Sequence, residues 1–296
     1  MKHIVLVSSV IFLGMLTGCK KNNPPSVTPV LASAAKDCLI QSYQTNWTGT
    51  YGFNNNYKYD NNSRIVSYES TGLSDVKITR AEIGNPLDSA VSSIAFHQFN
   101  SAGDPSILTT TYGFNRDGFP QTLPTTARLS LTKIHNQVST TIPDYEDHVF
   151  TWSKGKLVKV EETSPQPGDW EWMLTITYND KGNVTSIKYE LTTGPRDAVT
   201  LITISAYDDK PNPYSAMAYW KFILPTRWNI SEPEPLIVAL SQNNPLDFNF
   251  NDQSSRTMKY TYNEKGFPIT KTYTNKNIQS GQTATFNETY VYTCKP

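Results

Sequence analysis

Tyr260-Thr261-Tyr262-Asn263-Glu264-Lys265-Gly266-Phe267-Pro268 decides the architecture of this chain. Two aromatic residues at alternate positions point to one face of an extended strand, and Thr261 between them points to the other. Asn263 then opens a turn, because its side-chain oxygen can accept a backbone N–H two residues on. Gly266 supplies the left-handed conformation that ends a type I turn and feeds the return strand through a bulge. The stretch therefore spells strand, turn, strand.

Altered copies recur along the chain. Ile176 to Val184 repeats it with Tyr178, Asn179 and Gly182 in the key places, and Tyr112 to Pro120 with Phe114, Asn115 and Gly118. Phe99, Asn100 and Gly103 lead to Pro105 in the same way. Tyr57 to Ile65 replaces Gly by Ser63, and Phe150 to Leu157 is one residue shorter, with Trp152 as its second aromatic. Tyr207 to Pro213 is the most degenerate, since Pro211 cannot adopt positive φ and must turn differently. Seven copies are hard to attribute to chance.

Two positions of the return strand carry a further signal. Five residues after the Gly slot stand Tyr68, Leu108, Leu123, Val160, Ile187, Ala216 and Lys271, apolar in six of seven. Two residues after it stand Ile65, Pro105, Pro120, Leu157, Val184, Pro213 and Pro268. These positions are an odd number apart, so the return strand must change face or carry a bulge, and either curves the sheet.

Intervals between the aromatic anchors run from 15 to 55 residues, too uneven for a solenoid or propeller. The expected fold is all-β: an antiparallel meander of these hairpins in a curved sheet. Its aromatic face must be covered, by rolling into an open barrel or folding over as a sandwich. At most one or two short helices fit, the best being Glu234 to Gln242, which runs up to Asn243-Asn244-Pro245.

Composition agrees. Of 296 residues only 18% are charged and 12% are aromatic, a strand-and-turn balance with enough apolar residues to exclude disorder for most of the chain. Lys plus Arg equal Asp plus Glu at 26 each, which leaves no basic field for a nucleic acid partner.

At the N-terminus Met1-Lys2-His3 precedes an apolar run from Ile4 to Leu16, too short to span a bilayer as a mature helix. Residues 1–18 read as a cleaved signal peptide and residues 19–36, rich in Asn and Pro, as a tether with a coil span of roughly 20 to 25 Å. Residues 37–296 form a single β-rich repeat domain. Besides Cys19 the chain has Cys38 and Cys294, at the two ends of that domain. An exported protein meets oxidising conditions, so the pair is expected to be bridged, clasping the first and last strands. A redox role is disfavoured by the absence of CxxC and of a flanking His.

The residues offer little chemistry. The four His, among them His97, His135 and His148, are far apart, and His148 alternates with Phe150 and Trp152 as an ordinary sheet residue. There is no HExxH, GxSxG or phosphate loop. Ser130-Leu131-Thr132-Lys133 spells SxxK without its companion motifs. Carboxylates gather at Asp144, Glu146 and Asp147, at Glu161-Glu162 and at Asp208-Asp209, and read as solvated turn and loop residues. No metal, cofactor or catalytic set is expected. Trp170, Trp172, Trp220 and Trp228 are the candidates for a ligand platform, although Trp172 shares its alternation with Leu174, Ile176 and Tyr178.

Leu16-Thr17-Gly18-Cys19 resembles the bacterial lipobox, which implies acyl chains on Cys19. The hairpin units resemble the YD or RHS-type repeat. With Asn212-Pro213-Tyr214 and the closing Tyr290-Val291-Tyr292-Thr293-Cys294-Lys295, the whole resembles the small YD-repeat lipoproteins of Bacteroidota, a family of unknown function. The resemblance implies an outer-membrane lipoprotein, and Lys20 with no acidic residue before Asp37 favours the periplasmic face. The expected role is a non-enzymatic interaction or scaffold, with envelope proteins as partners. Glycan binding through Trp and Tyr side chains is the alternative, and an envelope hydrolase using loop carboxylates ranks third.

Overall fold

The computed structural model describes residues 38–47, 51–59, 61, 65–72, 78–84, 93–99, 107–115, 126–135, 138–163, 171–193, 199–216, 233–251 and 253–294. The expected signal peptide and tether, Cys19, Trp170, Trp220 and Trp228 lie outside them. The strands are β1 (Cys38–Trp47), β2 (Tyr51–Tyr59), β3 (Ile65–Gly72), β4 (Ile78–Gly84), β5 (Ser93–Phe99), β6 (Ile107–Asn115), β7 (Thr126–His135) and β8 (Val138–Ser153). They continue as β9 (Lys156–Thr163), β10 (Trp172–Tyr178), β11 (Val184–Leu191), β12 (Val199–Pro211), β13 (Asn243–Phe250), β14 (Ser254–Tyr262), β15 (Pro268–Asn277) and β16 (Thr283–Cys294). A short helix, α1 (Glu234–Leu240), stands between β12 and β13 where the sequence places it.

Every strand pairs antiparallel with its sequence neighbours, the meander expected from the repeats. The sheet then closes: β1 pairs with β16 as well as with β2, so the aromatic face is covered by rolling the meander into a barrel.

One hairpin geometry recurs around one end of that barrel. In the copies at Asn179 and Asn263, the Asn backbone carbonyl accepts the Gly N–H, from Gly182 at 3.0 Å and Gly266 at 2.9 Å. The side-chain oxygens accept further N–H groups, Asn263 from Lys265 at 3.0 Å and Phe267 at 2.9 Å, and Asn179 from Asn183 at 3.0 Å. Gly182 and Gly266 sit at φ of +85° and +80°. The unit that is one residue shorter turns instead on Lys154 and Gly155, both at positive φ.

Beyond four of the turns the expected bulge falls at one fixed place. Tyr59 faces Ile65, Trp152 faces Leu157, Tyr178 faces Val184 and Tyr262 faces Pro268, and in each case the return strand gains one residue immediately after that pair. The anchor hydroxyls tie successive hairpins together. Tyr178 donates to the carbonyl of Leu157 at 2.8 Å and Tyr207 to that of Val184 at 2.7 Å, in each case the bulge-flanking residue of the preceding unit.

Three copies depart from the sequence reading. Phe114 faces Ala127, not Pro120, and the register of β6 and β7 runs on without a bulge. Phe99 leads from β5 to β6, and in an antiparallel meander that puts its turn at the end opposite to the turns at Tyr59, Phe114, Trp152, Tyr178 and Tyr262. A local turn motif does not encode which end of the barrel it serves. The Tyr207 unit is interrupted, since residues 213–216 form a 3-10 turn and the return strand starts only at Asn243. Tyr207 faces Pro245, not Pro213, and the apolar residue three further on is the buried Phe248, not Ala216.

The seam between β16 and β1 has the same geometry. Tyr292 faces Ile40, β1 gains its extra residue immediately afterwards, and Tyr59 donates to the Ile40 carbonyl at 2.7 Å as Tyr178 does to that of Leu157. Where the other units have a turn, the seam has the Cys38–Cys294 disulfide. The two ends of the chain thus make one more hairpin, with a covalent cross-link in place of its loop.

Side chains alternate across the wall. Inward face Leu157, Val160, Leu174, Ile176, Ile187, Ile202, Ile204 and Met258, which with Leu236, Ile237 and Leu240 of α1 form a continuous core. Outward face hydroxyls that bond between strands: Thr177 with Ser186 at 2.7 Å, Thr261 with Thr270 at 2.6 Å and Thr274 with Thr285 at 3.0 Å.

Gly182→Ala and Gly266→Ala are expected to destabilise by about 1 to 2 kcal/mol each, the cost of a Cβ in the left-handed region. Gly182→Ala should cost more, because its Cβ would meet Gln242 Cγ at 3.0 Å, whereas the nearest atom at Gly266 is at 3.6 Å. Urea unfolding midpoints of the two variants check the order.

Candidate functional site

The segment inserted between β12 and β13 positions the site. Pro233 and Pro235 are tolerated at the start of α1, where backbone donors have no intrahelical partner. Ser241 ends the helix and ties it to the hairpin end of the wall, its hydroxyl accepting the Val184 N–H at 3.2 Å. Asn212 donates from its side chain to the Val238 carbonyl at 2.5 Å and to that of Ser241 at 3.2 Å. Asn183 Oδ1 accepts the backbone N–H groups of Gln242 and Asn243, each at 2.9 Å. The polar Asn and Ser residues of the insertion hold its helix against the barrel core.

One side of α1 completes that core, and Glu234 brings a buried carboxylate to β14 and β15. Arg256 Nη1 donates to Glu234 Oε2 at 2.5 Å, and Lys271 Nζ donates to Glu234 Oε1. Lys271 also reaches Glu288 Oε2 at 2.7 Å, and that same oxygen accepts the Tyr290 hydroxyl at 2.6 Å. Arg256 Nε donates to Asn275 Oδ1 at 2.6 Å, and its guanidinium lies 4.7 Å from the Tyr273 ring centre. Two acids and two bases, all at most 9% exposed, therefore form one chain of ion pairs.

Beside this chain is a cavity of about 240 Å³. Tyr43, Tyr57, Tyr214, Tyr260, Tyr273 and Tyr290 line it together with Val238 and Ala239 of α1 and the four charged residues. Tyr43 lies at the centre of the aromatic wall, with ring centres 6.4 Å from Tyr57, 6.2 Å from Tyr214 and 6.0 Å from Tyr290.

The electrostatics are those of paired charges out of water. Burial alone would push the Glu234 carboxyl up, but Lys271 and Arg256 outweigh it and hold it down at about 2. Burial would likewise lower the Lys271 ammonium, and Glu234 and Glu288 raise it instead. Burial pushes the Tyr273 hydroxyl up to about 12 and those of Tyr260, Tyr290 and Tyr214 well above their usual range, so these tyrosines stay neutral hydrogen-bonding groups.

A depressed carboxylate stabilises the fold above its ordinary value near 4.5, and that contribution is lost as pH falls toward 2. The urea midpoint is expected to drop between pH 4.5 and 2, and to drop less steeply in Glu234→Gln. Equal slopes for the two proteins would contradict the assignment.

The residues singled out in the sequence fall elsewhere. Trp172 points inward and packs at the core margin, its ring 5.8 Å from His148 and 6.0 Å from Tyr189, so it forms no exposed platform. His148 is fully buried, with Nε2 3.2 Å from Glu162 Oε2. Glu162 is thus an interior residue, not the solvated one expected, because it follows Val160 at an alternate position on the inner face of β9. Glu161 faces outward and pairs with Lys159 at 2.7 Å. Asp208 accepts the Tyr262 hydroxyl and, at 3.0 Å, the Asn244 N–H, tying two hairpins together. Among the described residues no group of three or more His, Cys, Asp or Glu is placed to hold a metal ion.

The Glu234–Arg256–Lys271–Glu288 chain is not among the sequence candidates, yet one signal marks it. Lys271 is the single charged residue at the return-strand position where the other units carry apolar or aromatic side chains, and its structural counterparts Val160, Ile187 and Phe248 are buried in the core.

No family model matches the chain, and no curated protein matches it. Among solved structures, a porin-like protein from Bacteroides uniformis matches with a TM-score of 0.52 at 12% identity, over 86% of this chain and 96% of that one. A porin-like protein from Bacteroides vulgatus matches with a TM-score of 0.38 at 9% identity, over 87% of this chain and 99% of that one. The first match is a likeness of fold.

Proposed function

We propose that the protein is a lipid-anchored component of the bacterial outer membrane, held by acyl chains on Cys19 and facing the periplasm, with a non-enzymatic binding role. The observation that carries the binding role is the cavity lined by α1 and the tyrosine-rich wall. The recurring hairpin geometry supports kinship with the YD-repeat lipoproteins.

A channel is disfavoured despite the porin-like fold of the Bacteroides uniformis protein. A membrane-spanning barrel shows apolar residues to lipid and polar residues to its lumen. Here the strands from β9 to β16 carry the opposite bias, with Thr257, Lys259, Thr261, Asn287 and Thr289 exposed outside beside a few apolar residues such as Leu201 and Val291, and an apolar core inside. Such a wall suits water, and a lipid on Cys19 supplies the attachment that the strands do not.

Attachment is tested by expressing the full chain with a clickable palmitate analogue. The wild type is expected to take the label and sediment with membranes, while Cys19→Ser takes none, is released by carbonate and retains its β-sheet circular dichroism. Membrane retention of Cys19→Ser, or conductance steps when the purified protein is added to a planar bilayer, would overturn the reading.

Glycan binding is the second reading, favoured by the tyrosine wall.

A further inference from the structure

We propose that the cavity beneath α1 binds one neutral pyranose ring, either a free monosaccharide or the terminal residue of a glycan. The inference rests on the binding role proposed above and names its ligand.

Three observations carry it. The first is size. At about 240 Å³ the cavity is smaller than the pockets that take drug-sized ligands and suits a single ring.

The second is charge. Glu234 and Glu288 are balanced by Arg256 and Lys271 within one network. A ligand with a net charge would add an uncompensated charge to a buried site, which is unfavourable. A neutral ligand leaves the balance intact. A sugar hydroxyl both donates and accepts, so it can insert among carboxylates, an ammonium and phenol hydroxyls without leaving either kind unpaired.

The third is the wall. Tyr43, Tyr57 and Tyr290 present aromatic rings beside the charged groups, and a pyranose has apolar C–H faces that pack on such rings while its edge is polar. A wholly apolar ligand would use the rings and have no need of the ions. The hairpin rule supplies an apolar side chain at the place of Lys271, and Val160, Ile187 and Phe248 follow it. Departure from a protein's own folding rule is expected where a site is built, and here the departing residue lines the cavity.

The test uses the full chain in a detergent without a sugar head group. D-Glucose, D-galactose, D-mannose and N-acetyl-D-glucosamine are titrated by calorimetry and by saturation-transfer NMR, beside D-glucuronate and D-glucosamine as charged analogues. At least one neutral sugar is expected to bind saturably, and its charged analogue at least tenfold more weakly. Val238→Phe, which fills the cavity without touching an ion, should abolish binding. Lys271→Met with Glu288→Gln, which keeps the charge balanced, should weaken it at least tenfold. Circular dichroism and melting temperature report whether each variant is folded. Chitotriose and maltotriose separate the two sources: binding as tight as that of the single sugar assigns a terminal residue, and loss of binding assigns the free monosaccharide. Flat titrations with all four neutral sugars, equal affinity for the charged analogues, or unchanged affinity in folded Val238→Phe would overturn the proposal. None of these results alters the palmitate labelling at Cys19, so failure of the ligand assignment is distinct from failure of the anchored reading.

Discussion

Lys271→Met is expected to lower stability by about 3 to 5 kcal/mol, because it leaves Glu288 and one oxygen of Glu234 as buried carboxylate groups without their cation. A loss of that size moves the melting temperature down on the order of 10 °C. The informative comparison is with Lys271→Met combined with Glu288→Gln. One positive and one negative charge leave together, the 2.5 Å pair of Arg256 with Glu234 remains, and the amide oxygen introduced by Glu288→Gln can still accept the Tyr290 hydroxyl. The double variant is expected to lie within about 1.5 kcal/mol of the wild type, since a balanced buried pair contributes little beyond the cost of taking its charges out of water. The two effects are therefore far from additive. A urea double-mutant cycle measures this, and a double variant as unstable as Lys271→Met would show that the network is primarily a brace for α1.

Removing the Cys38–Cys294 disulfide is expected to cost about 2 to 5 kcal/mol, since the cross-link closes a loop with a sequence separation of 256. The location of the loss is as informative as its size. The seam is the one hairpin of its kind whose strands are not joined by a short connection or by the inserted helix segment, so opening should start there. Hydrogen exchange of Cys38→Ser/Cys294→Ser should show protection lost first along β1 and β16, with β10, β11 and β14 little changed. Uniform loss around the barrel, or an unchanged urea midpoint, would contradict this.

The hairpins were legible in the sequence because their determinants are local. Asn263 and Gly266 act within a few residues, and the odd interval between Lys271 and Pro268 already required a bulge or a change of face. Closure was legible only through the cysteines, whose expected bridge clasps the first and last strands. The pairing of β1 with β16 itself was not, because it spans almost the whole domain and a turn motif is silent on distant partners. The Tyr207 unit misled for a related reason. Pro213 falls where a return residue is expected, but the chain leaves the wall there and comes back at Pro245. Lys271 stood out as an exception, yet its partners could not be read. Glu288 lies directly opposite Lys271 on the neighbouring strand β16, but Glu234 comes from the inserted helix and Arg256 from β14, and only the packing of α1 against the wall brings Glu234 to both cations.

The seam has a topological consequence. In a ring of like hairpins no strand is intrinsically first, and the place where the chain starts is a matter of which connection is missing. Cys38 and Cys294 already face each other in register, as the flanks of the other turns do. Circular permutants are therefore accessible: a short Asn-Gly turn can join β16 directly to β1, and new termini can be opened in the exposed Ser280-Gly281-Gln282 loop between β15 and β16. Such a chain would keep its barrel without the Cys38–Cys294 cross-link, and both chain ends would move to the opposite rim.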